Sequence, residues 1–228
     1  MREKIEKIAK EMGASLVGVG SIERLLSPEH SHLKTGISIA VRLSDQIMND
    51  VVDSPTHTYY HHYRTVNFLI DQICLRISME IQNRGYLAMG VAASQTVKSE
   101  SENYKGLISH KMVATRAGIG WIGKSACLVT PEYGPRVRLG TVVTDMEMEY
   151  DKPRDISECG DCTICMVNCP SLAIRGVNWE VGKSREEIYD AYACSRHMSE
   201  EYRDIGRGSV CGICVSCCPY GKRLQNRT

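Results

Sequence analysis

An α+β fold in two parts is what this sequence predicts, on three observations. Helical and strand-like periodicities alternate through residues 1–150. Nine of the eleven cysteines crowd between Cys159 and Cys218, leaving only Cys74 and Cys127 outside. The stretch 149–158 (EYDKPRDISE) is polar, contains a proline and has neither period, so it separates the two regions. The expected domains are therefore 1–150 and 151–228.

The elements of the first part follow in order. Ile5, Ile8, Met12 and Leu16 fall at helical spacing, and the break at Gly13 precedes an apolar run of strand type at 16–20 (LVGVG). A second strand is expected at 36–41 (GISIAV). Val66, Leu69, Ile70, Ile73, Ile77 and Ile81 recur at intervals of three and four, which predicts a long amphipathic helix over 63–85. Beyond it lie a glycine-rich stretch at 117–124 (AGIGWIGK) and strand-like runs at 126–130 and 137–144.

Charge excludes some function classes. With 28 basic and 27 acidic side chains the formal charge is +1, so neither a polybasic nucleic-acid coat nor an acidic tail is present. Hydrophobic residues at 43% and charged ones at 24% suit a globular core. No stretch approaches the roughly 20 apolar residues of a membrane span, so none is expected. The opening MREKIEKIAKE has no apolar region of the secretory type, which points to the cytoplasm. A reducing cytosol keeps thiols available for metals rather than disulfides.

Cys159, Cys162, Cys165 and Cys169, followed by Pro170, read CxxCxxCxxxCP. That is the spacing by which bacterial ferredoxins place three thiolates on one 4Fe-4S cube and send the fourth to a second cube. The partner is CGICVSCCP from Cys211 to Pro219, where the Cys-Pro pair is shifted forward. Cys218 then completes the first cluster, and Cys169, Cys211 and Cys214 serve the second. Its last ligand is Cys194 or Cys217. A structural zinc site is the bland alternative, but zinc ribbons use separated pairs and leave the triple repeat unexplained. Cys74 and Cys127, in a helical face and a strand-like run, read as buried structural thiols.

The glycines Gly118, Gly120 and Gly123 permit positive φ or close approach of a planar ligand or phosphate, or else form a tight turn. Trp121 beside them is more often core than a stacking platform. The residues Tyr59, Tyr60, His61, His62 and Tyr63 form an aromatic and imidazole cluster that suits a helix start, or a proton relay or cobalt ligand.

These blocks together resemble a family. AGIGWIGK, LGTVVTD at 139–145, CGDCTICMVNCPSLAI at 159–174, Ala193-Cys194-Ser195 and VCGICVSCCP at 210–219 occur in the order found in epoxyqueuosine reductases and, more distantly, reductive dehalogenases. Both are corrinoid-dependent iron-sulfur enzymes. The resemblance implies an α+β, nitroreductase-like cofactor-binding domain followed by a small ferredoxin-like domain with two 4Fe-4S clusters. It makes Cys194 the remaining ligand of the second cluster. It also implies cobalamin beside Gly118, Gly120, Trp121, Gly123 and Lys124, with FMN as the alternative. A low-potential donor of ferredoxin or flavodoxin type is the expected partner, and a corrinoid protein a second one. Two departures stand out. The chain stops nine residues after Pro219, where tRNA-modifying members continue, which argues against tRNA as substrate. Their catalytic aspartate lies upstream of the glycine block, and counting back places Tyr104 there. Reductive dehalogenases use a tyrosine as proton donor, so the resemblance makes Tyr104 the candidate acid, with an exposed loop tyrosine in a polar stretch as the alternative reading.

Overall fold

The computed structural model describes residues 1–94 and 106–222. In chain order the elements are α1 (Arg2–Glu11), β1 (Leu16–Ser21), β2 (Thr35–Arg42), α2 (Asp45–Asn49), α3 (His57–Gln82), β3 (Ala88–Val91), α4 (His110–Arg116), β4 (Trp121–Ile122), β5 (Leu128–Val129), β6 (Val137–Thr144), α5 (Ile164–Val167), α6 (Arg185–Ile188), α7 (Ala191–Glu201) and α8 (Ile213–Ser216). Among the described residues no helix is long and apolar enough to cross a membrane.

The chain divides into two compact units, and they are not the contiguous pieces expected from sequence. One unit is Met1–Arg42, Val66–Ile119 and Arg138–Arg154; the other is Leu43–Thr65, Gly120–Val137 and Asp155–Thr228. The polar stretch does mark one boundary, but 43–65 and 120–137 join the cysteine-rich unit. A segment with few apolar residues cannot build a core alone, so it recruits material from elsewhere in the chain.

The first unit is a four-stranded sheet in the order β1-β2-β6-β3, with β1 and β2 antiparallel (Leu16 opposite Ala40, Ser21 opposite Thr35) and β3 and β6 antiparallel (Ala88 opposite Thr144). Helix α3 lays Ile70, Ile73, Ile77 and Ile81 into the core, all fully buried. It begins earlier than the apolar period suggests because Thr56 caps it, its Oγ1 accepting from the Tyr59 N–H at 3.0 Å. The helix comes close to the sheet where side chains are missing. A Cβ on Gly140 would lie 2.3 Å from Ile70 and 2.9 Å from the Cys74 sulfur, and one on Gly90 would lie 3.1 Å from Cys74. Cys74 is thus a buried packing thiol, as its position in the helix suggests, and burial pushes its pKa up to about 12.

The end of α4 is seated on β1 in the same way. Asp151 fastens the edge, accepting the Val19 N–H at 2.8 Å and pairing with Arg2 at 2.6 Å. A Cβ on Gly20 would stand 2.4 Å from the Arg116 carbonyl, and one on Gly18 would stand 2.2 Å from the Ala117 oxygen. Gly20→Ala should therefore cost about 1–3 kcal/mol, the usual penalty of overpacking, read as a lower denaturant midpoint.

Candidate metal centre

In the second unit the cysteines sit on tight turns and in the first turns of helices. Gly160 takes φ 53° directly after Cys159, and the Cys162 N–H donates to the Cys159 carbonyl at 3.2 Å. Cys165 lies on the single turn of α5, and Pro170 stops the chain after Cys169. The second loop turns at Gly212, φ 83°, where an added Cβ would meet the Tyr59 ring at 2.7 Å. Tyr59 is 5% exposed and braces that loop, which gives this aromatic a packing role. Cys214 then falls on α8. Cys194 lies in the first turn of α7, which Asp190 caps by accepting the Ala193 N–H at 2.9 Å.

Two further contacts fix the second loop. Ser216 donates its hydroxyl to the Met48 carbonyl at 2.7 Å. Arg136, 1% exposed, pairs with Asp45 at 3.3 Å and donates to the Ser216 carbonyl at 3.1 Å. Tyr220 stacks edge-on against the buried Trp121, ring centroids 5.1 Å apart, and donates its hydroxyl to the Glu158 carbonyl at 2.9 Å.

The thiols gather in two neighbourhoods. Around Cys165, burial followed by the neighbouring Cys217, Cys159 and Cys218 pushes the thiol up to about 12. Cys218 is pushed to about 11 by burial, opposed by the N–H groups of Tyr220 and Gly221, with Cys159 and Cys217 adding to the rise. The other neighbourhood surrounds a small apolar core of Cys169, Ala173 and Ile174, onto which Tyr189, Cys194 and Cys214 pack together with Cys165 and Met166. Burial raises Cys211 to about 11 against the Ile213 N–H, with Cys194 and Cys169 as the next influences. Cys214 is raised by its hydrogen bond with Cys127 and then by burial. Cys194 is raised by burial and lowered by the Tyr189 hydroxyl.

Half-buried thiolates at this density repel one another and lack water, so they need a cation to be anions at all. None of the eleven cysteines is in a disulfide. Among the described residues no three metal-ligating side chains converge on a single ion.

Sequence reasoning missed Cys127, Tyr189 and Ser171. Cys127 closes the β4–β5 turn, its carbonyl accepting the Gly123 N–H at 2.9 Å, and its sulfur reaches Cys214 rather than being an isolated packing thiol. No spacing rule flags it. The glycine block is closed by protein: a Cβ on Gly118 would meet the Lys152 carbonyl at 2.8 Å, one on Gly120 the Val129 carbonyl at 2.2 Å, and one on Gly123 the Val129 side chain at 2.7 Å. Trp121 and Lys124 are buried. Tyr104 lies outside the described residues.

A family model described as a 4Fe-4S double cluster binding domain matches residues 158–221, a range that holds all nine of these cysteines. This part of the chain is therefore a double-cluster iron-sulfur domain. Beyond the domain, the chain is similar to epoxyqueuosine reductases, as its motifs indicate. It is 34% identical over 131 residues to that of Gloeobacter violaceus, covering 53% of this chain and 38% of the relative. With that of Bacillus cereus it shares 39% over 123 residues, 53% of this chain and 31% of the relative. The chain thus spans about a third of the length of the curated relatives it matches.

Among solved structures, a catabolic reductive dehalogenase in complex with 3-bromo-4-hydroxybenzoic acid superposes with TM-score 0.76 at 19% identity, over 96% of this chain and 31% of that one. An epoxyqueuosine reductase with an epoxyqueuosine-modified tRNA stem loop superposes with TM-score 0.59 at 20% identity, over 97% of this chain and 65% of that one. These likenesses establish the fold. The expectation against tRNA is corrected: it rested on where the chain stops, which says nothing about substrate over a stretch this partial, and the relatives it matches are epoxyqueuosine reductases.

Two imidazoles carry a pH signature. The His62 Nε2 accepts the Ser44 N–H at 3.0 Å, and burial, followed by His61, lowers its pKa. His110 donates from Nε2 to the Ala92 carbonyl at 3.0 Å and accepts from the Thr141 hydroxyl at Nδ1, 2.8 Å, and burial lowers it too. A depressed imidazole pKa means the unfolded chain takes up the proton first, so the stability these groups give is complete above the ordinary value of 6.5 and is lost as pH falls through their folded values. His62→Gln keeps an acceptor without a titration. The variant should lose less stability than the parent between about pH 7 and about pH 5, measured by urea midpoints at each pH.

Proposed function

We propose that the chain is an iron-sulfur oxidoreductase that passes electrons through two 4Fe-4S clusters to a corrinoid. The two neighbourhoods of half-buried thiols in one unit carry this reading. Cys159, Cys162, Cys165 and Cys218 hold the first cluster; Cys169, Cys194, Cys211 and Cys214 hold the second. Cys217 is left over, its strongest thiol neighbours being Cys162 and Cys169. The protein's part is to keep both cubes in short, glycine-turned loops out of bulk water, which sets their potentials. Cys194→Ser should lose about half of the roughly eight iron atoms per chain that two four-iron cubes require, while Cys217→Ser keeps them, in anaerobically prepared protein analysed for iron.

The corrinoid is favoured by the fold, since one solved neighbour is described as a structure that suggests a mechanism for B12-dependent dehalogenation. The first unit, Met1–Arg42, Val66–Ile119 and Arg138–Arg154, would be its nitroreductase-like scaffold, Tyr104 the proton donor, a ferredoxin or flavodoxin the electron source and the cytoplasm the compartment. Epoxyqueuosine in tRNA is the substrate that the relatives' name and the tRNA-bound structure favour. On the Cβ side of each glycine in the block protein is already packed, which argues against a corrinoid seated on that side. That observation favours a second reading, an electron-transfer module that serves a separate corrinoid protein. Titration of the anaerobic holoprotein with cobalamin decides between them: a shift in the corrinoid bands with saturation supports the first reading, and bands identical to free cobalamin support the second. Saturable binding of FMN instead would replace the corrinoid.

A further inference from the structure

The two thiol sets differ in what donates to them. In the second set, Ser171 Oγ lies 3.3 Å from Cys169 Sγ. The Tyr189 hydroxyl is hydrogen-bonded to Cys194. Cys127 is hydrogen-bonded to Cys214, and the Ile213 N–H reaches Cys211. Once these four cysteines are thiolates on iron they can only accept, so Ser171, Tyr189 and Cys127 must donate. In the first set the donors found among the described residues are main-chain ones, the N–H groups of Tyr220 and Gly221 at Cys218.

A cluster that gains an electron gains negative charge, and hydrogen bonds to its sulfurs stabilise that charge and raise its reduction potential. Two effects oppose this difference. Burial disfavours added charge and weighs more on the second set, which holds the buried Cys169 and the deeply enclosed Cys214, so it works against the donors there. Lys222 favours a thiolate at Cys217 beside the first set, yet its side chain is exposed and water and salt screen it. Direct donors at each thiolate of the second set outweigh both.

We infer that Cys127, Tyr189 and Ser171 are positioning residues that hold the second cluster's potential above that of the first, so that electrons move from the first cluster to the second. In that step one electron leaves the first cluster, which is oxidised; the second is reduced by the same electron, and no proton moves. The inference rests on the ligand assignment proposed above.

Potentiometric titration of the holoprotein followed by electron paramagnetic resonance tests it. The parent should show two couples. Tyr189→Phe, which keeps the ring, and Cys127→Ala should each move the upper couple to a more negative potential and leave the lower one in place. Ser171→Ala, a half-buried position of small volume change, should do the same and serves if either of the others fails to fold. An upper couple that stays put in variants with full iron content overturns the inference, as does movement of the lower couple alone. Failure of the underlying assignment looks different: Cys194→Ser would then retain all its iron.

Discussion

Burial of clustered thiols, followed by repulsion among them, is the constraint on which the second unit depends. Burial first, and the neighbouring sulfurs after it, raises the Cys165, Cys211 and Cys218 thiols and favours protonation, a preference that metal charge reverses. The consequence for the backbone is that iron, rather than a sheet or a helical bundle, sets the shape of residues 155–222. Apart from the 11-residue α7 the helices there are single turns, α5, α6 and α8, and the chain changes direction at left-handed positions such as Gly160 and Gly212.

A domain organised by inorganic clusters still needs walls, and these come from distant sequence. Tyr59 lies under Gly212, Trp121 meets Tyr220, and Arg136 ties Asp45 to the Ser216 carbonyl. The buried Arg136 charge is tolerated because a carboxylate and a carbonyl face it; removal of Asp45 would leave it uncompensated. Segments 43–65 and 120–137 therefore belong to the cysteine unit by packing, although their composition gives no hint of it.

What the sequence reveals tracks the range of the interactions that decide each feature. The strands at 35–42 and 137–144 and the helix at 2–11 were legible because apolar periodicity is local. The ferredoxin spacing was legible because cluster geometry fixes how many residues separate ligands on one loop. The start of α3 was obscured by its polar and aromatic first turns, whose signal is the Thr56 cap and not a hydrophobic stripe. Cys127 and Tyr189 were illegible for a different reason. Each reaches a cysteine from another part of the fold, or from outside the motif, and neither spacing nor propensity encodes such a contact.

Glycine shows the same limit from the other side. Three glycines within six residues permit either a ligand or a backbone to come close, and sequence cannot choose between them. The structure fills the space beside Gly120 and Gly123 with β5 and the space beside Gly118 with the chain at Lys152, so the close approach is used for packing. Their freedom from side chains is spent on seating the β4–β5 hairpin, and that hairpin carries Cys127 to Cys214. The glycine block thus acts on the iron-sulfur centre through the geometry of a turn: a side chain at Gly123 would displace Val129 and, with it, the strand that follows the only cysteine on this hairpin.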